Sequence, residues 1–189
     1  MSTPARRPPA AVLFDLDDTL FAHRQAVARA ITAHRPRFGR VGPDDSEAER
    51  WRSLEEIHYH RYLAGELSFQ GQPRARAREF AAPYGQDLES DLAADSWFDG
   101  YRAHYEAAWM LHDDAVRCLT DIRAAGSRIG IITNGELAFQ VEKINRVGLS
   151  PWVDDLIASG EVGIAKPDPR IFELACVRFE VGTSEAVYI

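Results

Sequence analysis

The chain has 189 residues, long enough to bury a substantial core, and at 46% hydrophobic and 27% charged it has a globular balance for which disorder is not the default. A net charge of −7 argues against a broad nucleic-acid surface, which needs clustered Lys and Arg, but leaves room for a small anion held by local positive groups. No 18-residue apolar run exists, and the opening MSTPARRPPA lacks the apolar core of a signal peptide, so a soluble cytoplasmic protein without membrane contact is expected.

Residues 1–9 read as a flexible N-terminus, and residues 10–14, AAVLF, as a short continuous apolar strand of the kind buried on both faces of a parallel sheet. From Phe21 to about Glu106 the periodicity is helical, with segments near 22–38, 46–64, 72–83 and 88–107 broken by GRVGPDD, GELSFQGQP and PYGQD. DDAVRCLTDIRAAG follows as an amphipathic helix with apolar Ala115, Val116, Leu119 and Ile122, stopping at Gly126. RIGIIT is a second buried strand, residues 136–147 a helix stopping at Gly148, DDLIAS a third strand, DPRIFELACVRF a helix and AVYI a fourth strand. Strand and helix alternate, which predicts an α/β fold: a doubly wound, Rossmann-like parallel sheet with ligands at the carboxyl ends of its strands. The helical block is too long for a crossover and reads as an inserted domain, giving a core of 10–21 plus 107–189 and an insertion of 22–106. Cys118 and Cys176, far apart in apolar helical contexts, give no metal spacing or disulfide framework and are expected to be buried and reduced.

Three segments carry candidate chemistry. In VLFDLDDTL, Asp15 and Asp17 stand two apart at a strand end, so an extended backbone points both carboxylates to one side. One carboxylate can attack while the other moves protons. A capped helix start is the plain alternative; a calcium loop is disfavoured because the glycine and closing glutamate of an EF-hand are missing. In IITNGE, Thr133 and Asn134 end the second strand before a helix, where hydroxyl and backbone N–H donors can bind a phosphoryl oxygen or simply cap a turn. In GIAKPDPRIF, Lys166 precedes a helix starting near Asp168. Of 22 basic residues only Lys143 and Lys166 are lysines, so the ammonium at 166 is read either as kept for its compact point charge or as a solvated loop lysine.

Taken in order on successive strands, DLDDTL, TN and KPDPRIF resemble the first three motifs of the haloacid dehalogenase superfamily, and the helical insertion is similar to that family's α-helical cap. The resemblance covers residues 11–189. It implies a Mg²⁺-dependent hydrolase in which Asp15 is the nucleophile and Asp17 the general acid and base. Mg²⁺ would be held by the Asp15 carboxylate and the Asp17 backbone carbonyl. Thr133 and the Asn134 amide would bind the phosphoryl group, with Lys166 neutralising the charge. Dehalogenase members lack an aspartate at position 17 and phosphatases carry it, so the expected substrate is a small phosphorylated metabolite cleaved through an aspartyl-phosphate. A phosphonatase would bring a lysine from the cap, and residues 22–106 contain none. The family's fourth motif, an acid after the fourth strand, would begin where the sequence stops at Ile189. The alternative reading is therefore a fragment, or a weakly active or inactive binding or regulatory protein.

Within the insertion, Arg74, Arg76 and Arg78 are expected on a solvated helix, and His58 and His60 do not share a face as a metal pair would. Trp51, Tyr59, Tyr62 and Phe69 are expected to pack between helices.

Overall fold

The computed structural model describes residues 7–37, 39 and 42–189. Most of the expected flexible terminus, residues 1–6, and Phe38 at the end of the first helical segment lie outside that set. The chain divides into two compact units, one formed by Met1–His23 with Trp109–Ile189 and the other by Arg24–Ala108.

The first unit is built on four parallel strands, β1 (Ala11–Phe14), β2 (Arg128–Thr133), β3 (Asp155–Ala158) and β4 (Ala186–Tyr188), in the order β3-β2-β1-β4. Phe14 pairs with Ile131, Leu13 with Tyr188 and Thr133 with Ala158. All four β1 residues are buried, as a continuous apolar run requires of a central strand. Because β4 returns to the far side of β1, the strand order reverses there, and the carboxyl end of β1 lies at the switch point where open α/β sheets bind ligands.

Alternation along the strands sends Leu13, Ile132 and Ile157 to one face, where they meet Ile171, Ala175 and Phe179 on and just after helix α8 (Pro169–Arg178). Val12 and Val187, of the opposite parity, look toward Ile122 and Ala125 at helix α5 (Ala115–Ala124). α5 stops as expected, with Gly126 at φ 88 just beyond it. Two expectations for α5 change: Val116 is exposed and Cys118 only partly buried, because the buried positions of this helix are Ala115 and Leu119, with Ile122 half-buried beside them. Cys176 is buried. Helix α6 (Leu137–Arg146) links β2 to β3, and the single turn α7 (Ser159–Val162) follows β3.

The second unit contains α1 (His23–His34), α2 (Asp44–Leu63), α3 (Gly71–Ala81) and α4 (Asp91–Ala107). Ser90 caps α4 by accepting a hydrogen bond from the Ala93 N–H. Its core is aromatic: Trp51 lies 4.3 Å from the Tyr101 ring and 5.1 Å from Phe80, centroid to centroid. Arg76 overturns the expectation of a solvated arginine helix. It is 4% exposed, paired with Glu55 and laid over the rings of Trp51 and Phe98 at 4.7 and 5.1 Å. Arg74 and Arg78 do lie at the surface side, paired with Asp91 and Asp95. Of the four aromatics expected to pack inside, Trp51 does so; Tyr59, Tyr62 and Phe69 form a partly exposed string at the end of α2. His58 is buried against Glu79, whereas His60 is exposed near Glu56. No described helix is long and apolar enough to cross a membrane.

Candidate active site

The site forms where β1 runs out. Past Phe14 the chain folds into a tight turn in which Leu20 and Phe21 N–H groups both donate to the Leu16 carbonyl and Asp18 N–H donates to Phe21 O at 2.7 Å. Asp18 takes φ 60, a left-handed conformation that Asp tolerates better than most side chains, which gives this third acid a backbone-shaping role. Asp15 and Asp17 flank the turn with side chains 30% and 32% exposed, open to solvent from the end of an otherwise buried strand.

Each carboxylate has its own lysine. Lys166, in the loop after α7, donates its ammonium to Asp15 Oδ1 and also to the Tyr188 hydroxyl at 2.9 Å. Lys143, on α6, donates to Asp17 Oδ1 at 2.7 Å. The two differ in burial: the Lys166 side chain is 16% exposed, that of Lys143 only 2%. Lys143 reaches the site between two aromatic rings, its Nζ 4.6 Å from the Phe21 centroid and 5.4 Å from Phe139.

Asn134 works through its side chain as well as its backbone. Its Oδ1 accepts from the Lys166 N–H at 2.8 Å and its Nδ2 donates to the Lys166 carbonyl at 3.0 Å, a two-point bracket across 32 residues. The carboxamide oxygen and one of its two N–H donors are thus engaged. The next N–H, of Gly135, donates to Ser159 Oγ at 2.9 Å. Gly135 has φ 144, and a Cβ there would stand 2.7 Å from Gln140 Nε2. Thr133 closes β2, 1% exposed, two residues beyond the Ile131 that pairs with Phe14. Asp168 caps α8 by accepting from the Arg170 N–H, and the Arg170 guanidinium beside it pulls its carboxyl down to about 2.

The structure therefore joins Asp15, Lys166 and Asn134 directly, brings Asp17 beside them on the same turn, and sets Thr133 at the end of the neighbouring strand. Lys143 and Tyr188 are contacts that the sequence reading does not assign. The signal for Lys143 was the lysine count, which applies to it as much as to Lys166; helical spacing alone cannot tell a lysine that turns inward from one in solvent. The end of β4 also reaches this place, since Asp15 N–H donates to the Ile189 carbonyl at 2.8 Å. Among the described residues no three His, Cys, Asp or Glu side chains gather to hold a metal.

Fold and geometry set two carboxylates and their lysines at the switch point of an open parallel sheet, where such sheets bind ligands. The family model for haloacid dehalogenase-like hydrolases matches residues 9–189, and the chain belongs to that family. It is 30% identical to a glyceraldehyde 3-phosphate phosphatase of Methanopyrus kandleri, over 95% of this chain and 74% of that protein. It is also 30% identical to (S)-2-haloacid dehalogenase 1 of a Pseudomonas species, over 96% of this chain and 76% of that one. Among solved structures, the magnesium-bound HAD-hydrolase YfnB of Bacillus subtilis superposes with a TM-score of 0.75 at 20% identity, covering 96% of this chain and 77% of that one, a likeness of fold.

Proposed function

We propose that this hydrolase cleaves small phosphate monoesters through an aspartyl-phosphate, using Mg²⁺ and taking small phosphorylated metabolites as substrates. The observation that carries the reading is the pair Asp15 and Asp17 at the end of β1, each carboxylate bonded to a lysine. The phosphatase relative supports it, and an aspartate at 17 weighs against the dehalogenase reading that the Pseudomonas relative would suggest.

In this reading a carboxylate oxygen of Asp15 attacks phosphorus in line with the ester bond. That P–O bond breaks, and the departing alkoxide takes a proton from the Asp17 carboxyl. Water then attacks the phosphoryl group of the intermediate, giving a proton to Asp17 and releasing inorganic phosphate as Asp15 is restored. Thr133 and the Asn134 backbone N–H hold the phosphoryl oxygens, and Lys166 offsets the charge that gathers on them and on Asp15.

The Asp15 carboxylate and the Asp17 backbone carbonyl are hard oxygen donors, and two such donors suit a small ion that keeps much of its water shell and binds substrate phosphate. Those two residues would hold Mg²⁺. Bound there, the ion adds positive charge beside the phosphoryl oxygens.

The full chain is expected to release phosphate from p-nitrophenyl phosphate, to lose that activity in EDTA and to regain it with Mg²⁺. Asp15→Asn is expected to lower turnover by a factor on the order of 10³ or more, as loss of a nucleophile does. Turnover that survives Asp15→Asn would remove the nucleophile from the scheme. Halide release from 2-chloropropionate without phosphate release would replace the reading with a dehalogenase.

A further inference from the structure

Twenty arginines and two lysines make up the cations of this chain, and both lysines end on the two aspartates of one turn. Lys166 is the more solvent-facing. Lys143 sits on a different element, its side chain 2% exposed, and its ammonium passes the Phe21 and Phe139 rings to reach Asp17 Oδ1 at 2.7 Å. A buried ammonium is costly to desolvate, and its attraction to a carboxylate often does no more than offset that cost, so an ion pair of this kind is weak evidence for stability. Stability therefore does not explain a lysine here. Nor would an arginine, the chain's usual cation, serve: a planar five-donor fork differs from a point charge that meets one carboxylate oxygen.

We infer that Lys143 is a positioning residue for Asp17: it holds Oδ1 and so fixes the rotamer that turns Oδ2, the oxygen left for proton transfer, toward the centre where Asp15 reacts. The inference rests on the phosphomonoesterase reading for its chemical consequence but not for the contact itself. Without the clamp, the partly exposed Asp17 side chain is free to rotate into water, and the departing alkoxide loses its proton donor. The loss depends on the leaving group. An alkyl phosphate needs the proton, whereas a nitrophenolate leaves without it.

Two measurements test this on the full chain. With ¹⁵N at lysine Nζ the protein gives two side-chain ammonium signals, one for each lysine. Asp17→Asn is expected to shift the one that Lys143→Met removes, and Asp15→Asn the other. A Lys143 signal unmoved by Asp17→Asn, in protein whose far-ultraviolet circular dichroism shows it folded, overturns the pairing. If Asp17→Asn does not fold, Lys143→Met carries the test: the crystal structure of this variant is expected to show Asp17 in a different rotamer, and an unchanged rotamer overturns the inference. For the chemistry, kcat/KM reports the step that breaks the ester bond. Lys143→Met is expected to lower it on the order of tenfold or more with an alkyl phosphate and to leave it within about twofold with p-nitrophenyl phosphate, in protein whose far-ultraviolet circular dichroism shows it folded. Equal losses on both esters mark a structural role and overturn the inference. A wild-type chain inert toward both esters withdraws the phosphatase reading instead, and the pairing then stands or falls on the ammonium signals and the Asp17 rotamer.

Discussion

Asn134 carries one consequence at the scale of a single residue. Its carboxamide gives one N–H and its oxygen to the backbone of Lys166, at 3.0 and 2.8 Å, so the loop that presents the ammonium to Asp15 is held by the strand that ends beside it. An intramolecular hydrogen bond contributes about 1 kcal/mol net, and a released backbone N–H or C=O in a partly buried loop loses somewhat more. Asn134→Ala is expected to destabilise the protein by about 1–2 kcal/mol in urea unfolding and to lower phosphatase kcat/KM by roughly tenfold, since Lys166 is no longer fixed. Asn134→Asp keeps the acceptor and loses the donor. It sets a carboxylate oxygen against the Lys166 carbonyl, so it is expected to be no more stable than Asn134→Ala, while adding a negative charge near Asp15. Asn134→Ala with wild-type kcat/KM would show that Lys166 holds its place through Asp15 and Tyr188 alone.

At the scale of elements, strand β2 makes a similar argument through absence of a side chain. A Cβ on Gly130 would stand 2.7 Å from Leu13 Cδ2 and 2.7 Å from Phe179 Cζ, both in the packed layer between the sheet and α8. The glycine lets Phe179 seat against the strand that flanks β1. Gly130→Ala would gain a few tenths of a kcal/mol from a stiffer unfolded chain but must displace two close-packed side chains. A net loss of about 1–3 kcal/mol is expected, seen as a lower urea midpoint with an unchanged slope. The strands themselves were legible, because AVLF, RIGIIT and DLIA are short apolar runs and nothing local competes with that pattern. Helix ends were legible where a glycine could adopt a positive φ, at Gly126 and Gly148. Illegible were the places where a distant partner decides the matter. Arg76 is buried because Glu55, 21 residues away, neutralises it and two rings cover it. Lys143 turns inward because Asp17 lies 126 residues earlier in the chain. In the site, Asp15, Asp17, Thr133, Asn134 and Lys166 could be chosen from residue type, spacing and family resemblance. The side-chain bracket of Asn134 could not, since it depends on where two loops meet.

For the whole molecule, buried histidines make the helical unit sensitive to acid. His34, on α1, is 2% exposed with its ring edge-on to Trp97 at 4.6 Å, and burial first, then His104 and Arg37, push it down from 6.5 to about 4. Burial likewise lowers His58, against the opposing pull of Glu79. Both histidines belong to the Arg24–Ala108 unit. A base whose folded value is depressed binds fewer protons folded than unfolded between the two values, so stability rises with pH across that window. The His34 contribution is therefore complete above about pH 6.5 and is lost progressively as pH falls toward 4. By pH 5 the loss amounts to about 2 kcal/mol. The four tryptophans make this measurable, since Trp51 and Trp97 lie in the helical unit and Trp109 and Trp152 in the other. In a Trp109→Phe, Trp152→Phe background, fluorescence follows the helical unit, and its urea midpoint is expected to drop between pH 7 and pH 5. Adding His34→Phe keeps an aromatic edge against Trp97 but removes the titration. The pH-dependent drop should then shrink to the part that His58 supplies, and an undiminished drop would assign the acid sensitivity to groups other than His34.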